Sequence, residues 1–224
     1  VLVLAIDTST PDLIVGIVDA ATGTTRAQRI IEDTREHNEQ LTPMVKAALA
    51  DADLTFADLN AVVVGCGPGP FTGLRVGMVS GAAFGDALGI PVHGVCSLDA
   101  IAQGIDFSAT PRALLATDAR RREIYWATYD NGTRTAGPEV IAPGHLEVPH
   151  EVDVISIPAH LGEKLPEALG DVDKLSLMPL PAHLVAVADL TATPEPLVPM
   201  YLRRPDAKEP KPKPRSTAIP EVEL

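Results

Sequence analysis

A chain of 224 residues with 46% hydrophobic and 21% charged residues is long enough for a substantial core and too apolar to be wholly disordered, and it is far too large for a disulfide-stapled miniprotein. Its 30 acidic against 18 basic residues leave a net charge of -12, which repels phosphate backbones and disfavours a stand-alone nucleic-acid binder. In chain order, Val1 to Thr8 is an apolar run closing on Asp7, and Leu13 to Asp19 follows a Ser-Thr-Pro-Asp turn, so the two predict a β-hairpin. Thr25 to Ile31 adds a third antiparallel strand. From Asn38 to Ala52, Leu41, Met44, Val45, Ala48, Leu49 and Ala52 fall on one face of a helix, with Asn38 or Thr42 as its N-cap. Ala61 to Gly65 is a short β-branched run of the kind covered on both faces of a sheet. A helix over Thr72 to Leu88 and a strand over Pro91 to Val95 complete the first half.

The second half opens with strands at Arg112 to Asp118 and Glu123 to Asp130, joined by the bend Arg120 to Arg122. Asn131-Gly132 then tolerates the positive φ of a tight hairpin turn, so Thr133 to Ile141 returns as a strand. Val152 to Ile157 reads as a further strand, with helices over Ala159 to Leu169 and Pro181 to Leu190. The expected domains are a first lobe at 1–108 and a smaller second lobe at 109–202 whose last segment returns to the first. A proline-rich tail over 203–224 carries six basic and four acidic residues. The N-terminus lacks the basic leader and cleavage site of a signal peptide, and the longest uncharged stretch is too short and too broken by glycine and proline to span a membrane as a helix. With Cys66 and Cys96 outside any zinc spacing, the chain reads as a cytoplasmic protein.

Nine of the 17 glycines lie between Gly65 and Gly94, and Gly69, Gly73, Gly77, Gly81, Gly85 and Gly89 recur every fourth residue. Each interior helical glycine costs roughly 1 kcal/mol relative to alanine, so close backbone approach must offset the cost. The approaching surface is either the protein's own sheet or a helix of another chain. The loop from Gly65 to Thr72 lacks the Gly-Lys-Ser/Thr ending of a phosphate loop, and Thr72 as N-cap with Phe71 packed on Val76 explains it structurally. Asp7, Thr8 and Ser9 form a hydroxyl-rich turn beside one carboxylate, suited to phosphate or hydrated magnesium or, more simply, to bonding the turn's own backbone. The six histidines contain no pair at metal-binding spacing, and no serine nucleophile elbow is present. No catalytic residue and no metal ligand is assigned.

Three segments together, Leu4 to Thr10 (LAIDTST), Glu36 to Leu41 (EHNEQL) and Gly67 to Gly77 (GPGPFTGLRVG), closely resemble the bacterial TsaB (YeaZ-like) family. Asp118 to Ala127 (DARRREIYWA) and Pro199 to Arg203 (PMYLR) extend the likeness to about residue 206. The family is the accessory component of tRNA threonylcarbamoyladenosine biosynthesis. The resemblance implies an α/β chain of the actin, Hsp70 and sugar-kinase fold, ribonuclease H-like, with mixed sheets, flanking helices and two lobes, the second reduced. It further implies a non-catalytic scaffold that binds and activates TsaD, with TsaE completing the assembly and tRNA engaged only through the complex. ATP and a metal ion are then expected on partner subunits and no cofactor on this chain. The implied docking face, which also serves self-association, falls on the two first-lobe helices, at Leu41, Val45, Gly73, Gly77 and Gly81. Asp7, Thr8 and Ser9 match a vestigial phosphate-binding position. Pro70 stands where family members usually carry serine, which removes a hydroxyl from the loop. The alternative is an autonomous nucleotide-dependent enzyme of the sugar-kinase-like class, with Asp7 placing magnesium.

Overall fold

The structure, a computed structural model, describes residues 1–203, so the tail expected over 203–224 lies outside it apart from Arg203. Strands β1 (Leu2–Asp7), β2 (Leu13–Asp19) and β3 (Thr24–Ile31) form an antiparallel meander, and β4 (Ala61–Gly65) and β5 (Val92–Val95) add in parallel on the other side of β1. The sheet order is β3-β2-β1-β4-β5. The second sheet, of β6 (Arg112–Asp118), β7 (Ile124–Asp130), β8 (Thr133–Ile141), β9 (Val154–Ser156) and β10 (Asp173–Leu175), has order β10-β9-β6-β7-β8. It repeats the first, since β6, β7 and β8 are antiparallel neighbours while β9 and β10 run parallel beyond β6.

Both faces of the first sheet are covered, which is why β1 and β4 are apolar at nearly every residue rather than alternating. Leu4, Ile6, Val62 and Val64 point toward α1 (His37–Asp51) and α2 (Phe71–Leu88), where they pack with Leu41, Val45, Ala48 and Leu74. Val3, Ala5, Ala61 and Val63 point the other way, onto Leu184 and Val185 of α5 (Pro181–Ala186). Pro181 of that helix lies on Gly16 of β2, where a Cβ would come within 2.5 Å of the proline ring. The chain therefore returns from the second sheet to close the first.

The connection is reciprocal. Helix α3 (Ser97–Ala102) leaves the first sheet after β5 and buries Leu98 and Ile101 against Ala113, Leu115 and Ala127 of the second. The other face of that sheet holds Leu114, Trp126 and Ile155 with Leu161 of α4 (Ala159–Gly162).

Several elements differ from expectation. The helix expected over Ala159 to Leu169 stops at Gly162, because Pro166 lacks an N–H and disfavours helical backbone at Leu165. Its counterpart from Pro181 ends at Ala186, not Leu190. Neither Asn38 nor Thr42 caps α1, which begins after Glu36 and takes Pro43 into its interior. Pro70, not Thr72, occupies the N-cap of α2. Among the described residues no helix is long and apolar enough to cross a membrane.

Candidate functional site

The Asp7 turn sits at the C-terminal end of β1, and its carboxylate is fully buried. Oδ1 accepts from the Ser9 N–H at 2.8 Å and the Ser9 hydroxyl at 2.7 Å, and Oδ2 accepts from the Ser97 hydroxyl at 2.6 Å. Burial pushes the Asp7 carboxyl above its ordinary range, against the opposing pull of these donors. The Thr8 hydroxyl donates to the Gly73 carbonyl at 2.7 Å and accepts from the Gly77 N–H at 3.1 Å. The sequence-expected trio is thus brought together, but as the junction between β1, α2 and α3. Both Asp7 oxygens are engaged and out of solvent, so in this arrangement the carboxylate presents nothing to a phosphate or a hydrated magnesium ion.

The glycine ridge meets the chain's own sheet. A Cβ on Gly73 would come within 2.5 Å of the Thr8 carbonyl oxygen; one on Gly77 would strike the Thr8 hydroxyl, one on Gly81 a methyl of Val64, and one on Gly85 a methyl of Val92. Four residues of helix advance roughly 40° beyond a turn, so the ridge crosses the sheet from the end of β1 over β4 to β5. Of the residues expected to dock, Gly77 and Gly81 are buried, Gly73 is half-buried against the turn after β1, and Leu41 and Val45 are buried in the core. The reason is physical, since the glycines let α2 lie close to strands whose valine side chains stand beneath it.

The opposite side of α2 is open. Phe71 is 54% and Val79 67% exposed. Phe71 is the first residue of α2; its ring lies 5.0 Å from that of Tyr201 and carries the Arg75 guanidinium 4.3 Å above it. A groove of about 420 Å³ between the start of α1 and α2 is lined by Asn38, Phe71, Arg75, Val76 and Val79. Beyond Phe71 a cavity of about 820 Å³ is bounded by Tyr125, Tyr201 and the Arg120–Arg121 bend, where φ is positive at both arginines. Periodicity could not single out Tyr201, because its partner ring is 130 positions away.

Other reactive groups are muted. Burial pushes the Cys66 thiol up to about 11 and raises that of Cys96, so neither is a ready thiolate. Among the described residues no three His, Cys, Asp or Glu side chains are grouped to hold a metal ion.

Two five-stranded sheets of one topology, each with three antiparallel strands followed by two parallel ones, define a protein of the actin and sugar-kinase-like fold class. A family model described as TsaD, tRNA N6-adenosine threonylcarbamoyltransferase, matches residues 25–207. An uncharacterized protein of Mycobacterium tuberculosis (strain H37Rv) is 54% identical over 206 residues, covering 92% of this chain and 93% of the relative. The tRNA threonylcarbamoyladenosine biosynthesis protein TsaB of Escherichia coli (strain K12) is 38% identical over 154 residues, covering 66% of this chain and 64% of that protein. Among solved structures, YeaZ from Pseudomonas aeruginosa superposes with a TM-score of 0.69 at 26% identity, covering 83% of this chain and 89% of that one. The chain belongs to the family that this model describes, and within it is a TsaB-like, YeaZ-like protein.

Proposed function

We propose that this chain is a non-catalytic accessory subunit in tRNA threonylcarbamoyladenosine biosynthesis, which docks TsaD through the outer face of α2 and so supports transfer of the threonylcarbamoyl group to the adenosine next to the anticodon. The observation that carries the reading is the exposed face bearing Phe71 and Val79, an aromatic and an aliphatic anchor beside a groove. Exposed apolar anchors of this kind mark interaction surfaces, and aromatic ones dominate their energetics. The engaged Asp7 carboxylate and the buried thiols support a role without chemistry of its own. On this reading TsaE joins the assembly, ATP and a metal ion act on partner subunits, tRNA is reached through the complex, and the same face serves self-association when TsaD is absent.

The test is binding of purified TsaD by Phe71→Ala and Val79→Asp variants. Each is expected to weaken association by about tenfold or more; the thermal midpoint of the isolated chain stays where it was in Val79→Asp, whose side chain is 67% exposed, and falls slightly in Phe71→Ala, which loses the ring contact with Tyr201 and the Arg75 cation above it. Native affinity in both would overturn the docking assignment. Reconstitution with unmodified tRNA, with and without this chain, tests the role itself. Calorimetry with magnesium ATP separates the nucleotide-dependent alternative, which requires tight binding that Asp7→Ala abolishes.

A further inference from the structure

Six large hydrophobic side chains are exposed among the described residues, and four of them, Phe71, Val79, Val198 and Tyr201, lie on α2 or on the last described segment of the chain. That segment, residues 194–203, has neither helix nor strand, yet it is fixed at several points. Leu197 packs on the first core, where its Cδ2 lies 3.0 Å from the place a Cβ on Gly94 would take. The Met200 N–H donates to the Cys66 carbonyl at 2.9 Å, while its side chain joins the core between α3 and the second sheet. The Arg203 guanidinium donates to the Arg120 carbonyl at 3.3 Å and to the Glu123 carboxylate. A strap fastened to both lobes thus holds the Tyr201 ring, 40% exposed, 5.0 Å from that of Phe71. Through this ring pair the apolar surface of α2 continues onto the strap.

The charge around the ring pair has one sign. The cavity of about 820 Å³ beside it is lined by Arg120, Arg121 and Arg203 and by no acidic residue, and the adjoining groove of about 420 Å³ is lined by Arg75, again with no acidic residue. In a chain of net charge -12 that is a local reversal. Glu123 neutralises Arg203, and Arg75 lies on the Phe71 ring. Arg120 bonds through its backbone alone, its N–H to Asp118 and its carbonyl to Arg203, so its guanidinium is unpaired among the described residues. The same bend carries a second mark. Arg120, Arg121 and Arg122 are three successive non-glycine residues at positive φ, of 63°, 54° and 67°, a backbone that is costly for side-chain-bearing residues and is concentrated where chains clamp ligands.

We propose that the docking surface continues from α2 over the strap, with Tyr201 as a second aromatic anchor, and that its occupant is an apolar segment of the docked partner which places a carboxylate side chain on the Arg120 guanidinium. This rests on the docking reading above and supplies the chemistry that the partner must present. Pro70, Phe71, Ala119 and Leu202 make the cavity wall largely apolar, which suits a segment that buries hydrophobic side chains around a single charge better than a multiply charged phosphate. A guanidinium and a carboxylate then pair with two parallel hydrogen bonds. Because Arg203 ties the strap to the bend that carries Arg120, the second lobe takes part in docking even though α2 belongs to the first.

The experiment measures binding of purified TsaD to the full chain by calorimetry, at low and at high salt. Tyr201→Ala is expected to weaken association about tenfold, and Tyr201→Phe to recover most of that loss, since the ring rather than the hydroxyl is the anchor. Arg120→Gln is expected to weaken it about fivefold at low salt, a difference that closes at high salt. The thermal midpoint of the isolated chain stays in place in Arg120→Gln, because that guanidinium bonds nothing among the described residues. Were Val79→Asp to abolish binding while Tyr201→Ala and Arg120→Gln kept native affinity, the docking reading would stand and the extension over the strap would fall. Native affinity in all three variants would sink both. Loss of self-association in Tyr201→Ala with TsaD affinity intact would assign the strap to a second copy of this chain. Saturable binding of inorganic pyrophosphate by the wild type but not by Arg120→Gln would assign the cavity to a phosphate ligand. Either result overturns the proposal.

Discussion

Asp7 is the residue on which the first lobe converges, and its chemistry is that of a structural acid. Its three donors come from Ser9, two positions away, and from Ser97, 90 positions away. The near pair is legible in the sequence as a turn that bonds itself, whereas Ser97 is not, because nothing local to residues 7–9 marks which distant strand end will face them. Because burial raises the folded-state pKa above the unfolded value, the folded protein binds more protons than the unfolded one between those two values. That term lowers stability as pH rises through this window and is absent once the group is neutral in both states, below the unfolded pKa. Asp7→Asn should therefore remove a component of stability that falls with rising pH, seen as the difference between wild-type and variant urea midpoints from acid to neutral pH. A difference that grows in the opposite direction would show the carboxylate to be stabilised in its charged form. Asp7→Ala, which leaves the Ser9 N–H and the Ser97 hydroxyl without an acceptor, should cost about 2–3 kcal/mol at neutral pH.

The spacing of α2's glycines specifies an element but not its neighbour. A four-residue repeat announces a bare ridge, yet a ridge fits an alien helix or the chain's own strands equally well, and the choice is made by valines of β4 and β5 and by Thr8, which periodicity within α2 cannot see. The consequence is measurable. Alanine at Gly77 gains roughly 1 kcal/mol of helix propensity but forces its Cβ into the Thr8 hydroxyl, disturbing a hydrogen bond that crosses from β1 to α2. Overpacking of this kind costs about 1–3 kcal/mol, so Gly77→Ala is expected to lower the thermal midpoint. Ser80→Ala, on the groove side of the same helix, should leave it unchanged or slightly raised; the reverse order would mean that α2 stands off the sheet. Longer elements such as α1 and β2 are legible because their apolar patterns persist for whole turns or strands, and the five-residue β4 because its run is apolar and β-branched. The six-residue α3 and the three-residue β10 are too short to carry a period, and α3 is held by burial of Leu98 and Ile101 rather than by any signal of its own.

At the scale of the molecule the two sheets repeat one topology while their trailing helices are exchanged, α3 packing on the second sheet and α5 on the first. A duplicated plan suggests two units able to fold separately; the exchange argues that they cannot. Without α5, the face of the first sheet bearing Val3, Ala5, Ala61 and Val63 would open to water, at about 25 cal/mol for each Å² of apolar surface. The chain holds one tryptophan, Trp126, packed in the core between β7 and α4 on the far side of the second sheet, so its fluorescence reports the second lobe alone. Leu184→Ala removes a fully buried side chain that packs on the first sheet and touches nothing in the tryptophan's cluster. It should cost about 3 kcal/mol, and if the lobes are one cooperative unit the denaturant midpoint read by Trp126 must fall as far as the midpoint read by far-ultraviolet circular dichroism. A tryptophan transition that stays in place while the dichroism splits in two would show that the exchanged helices do not couple the halves, and that each sheet unfolds on its own.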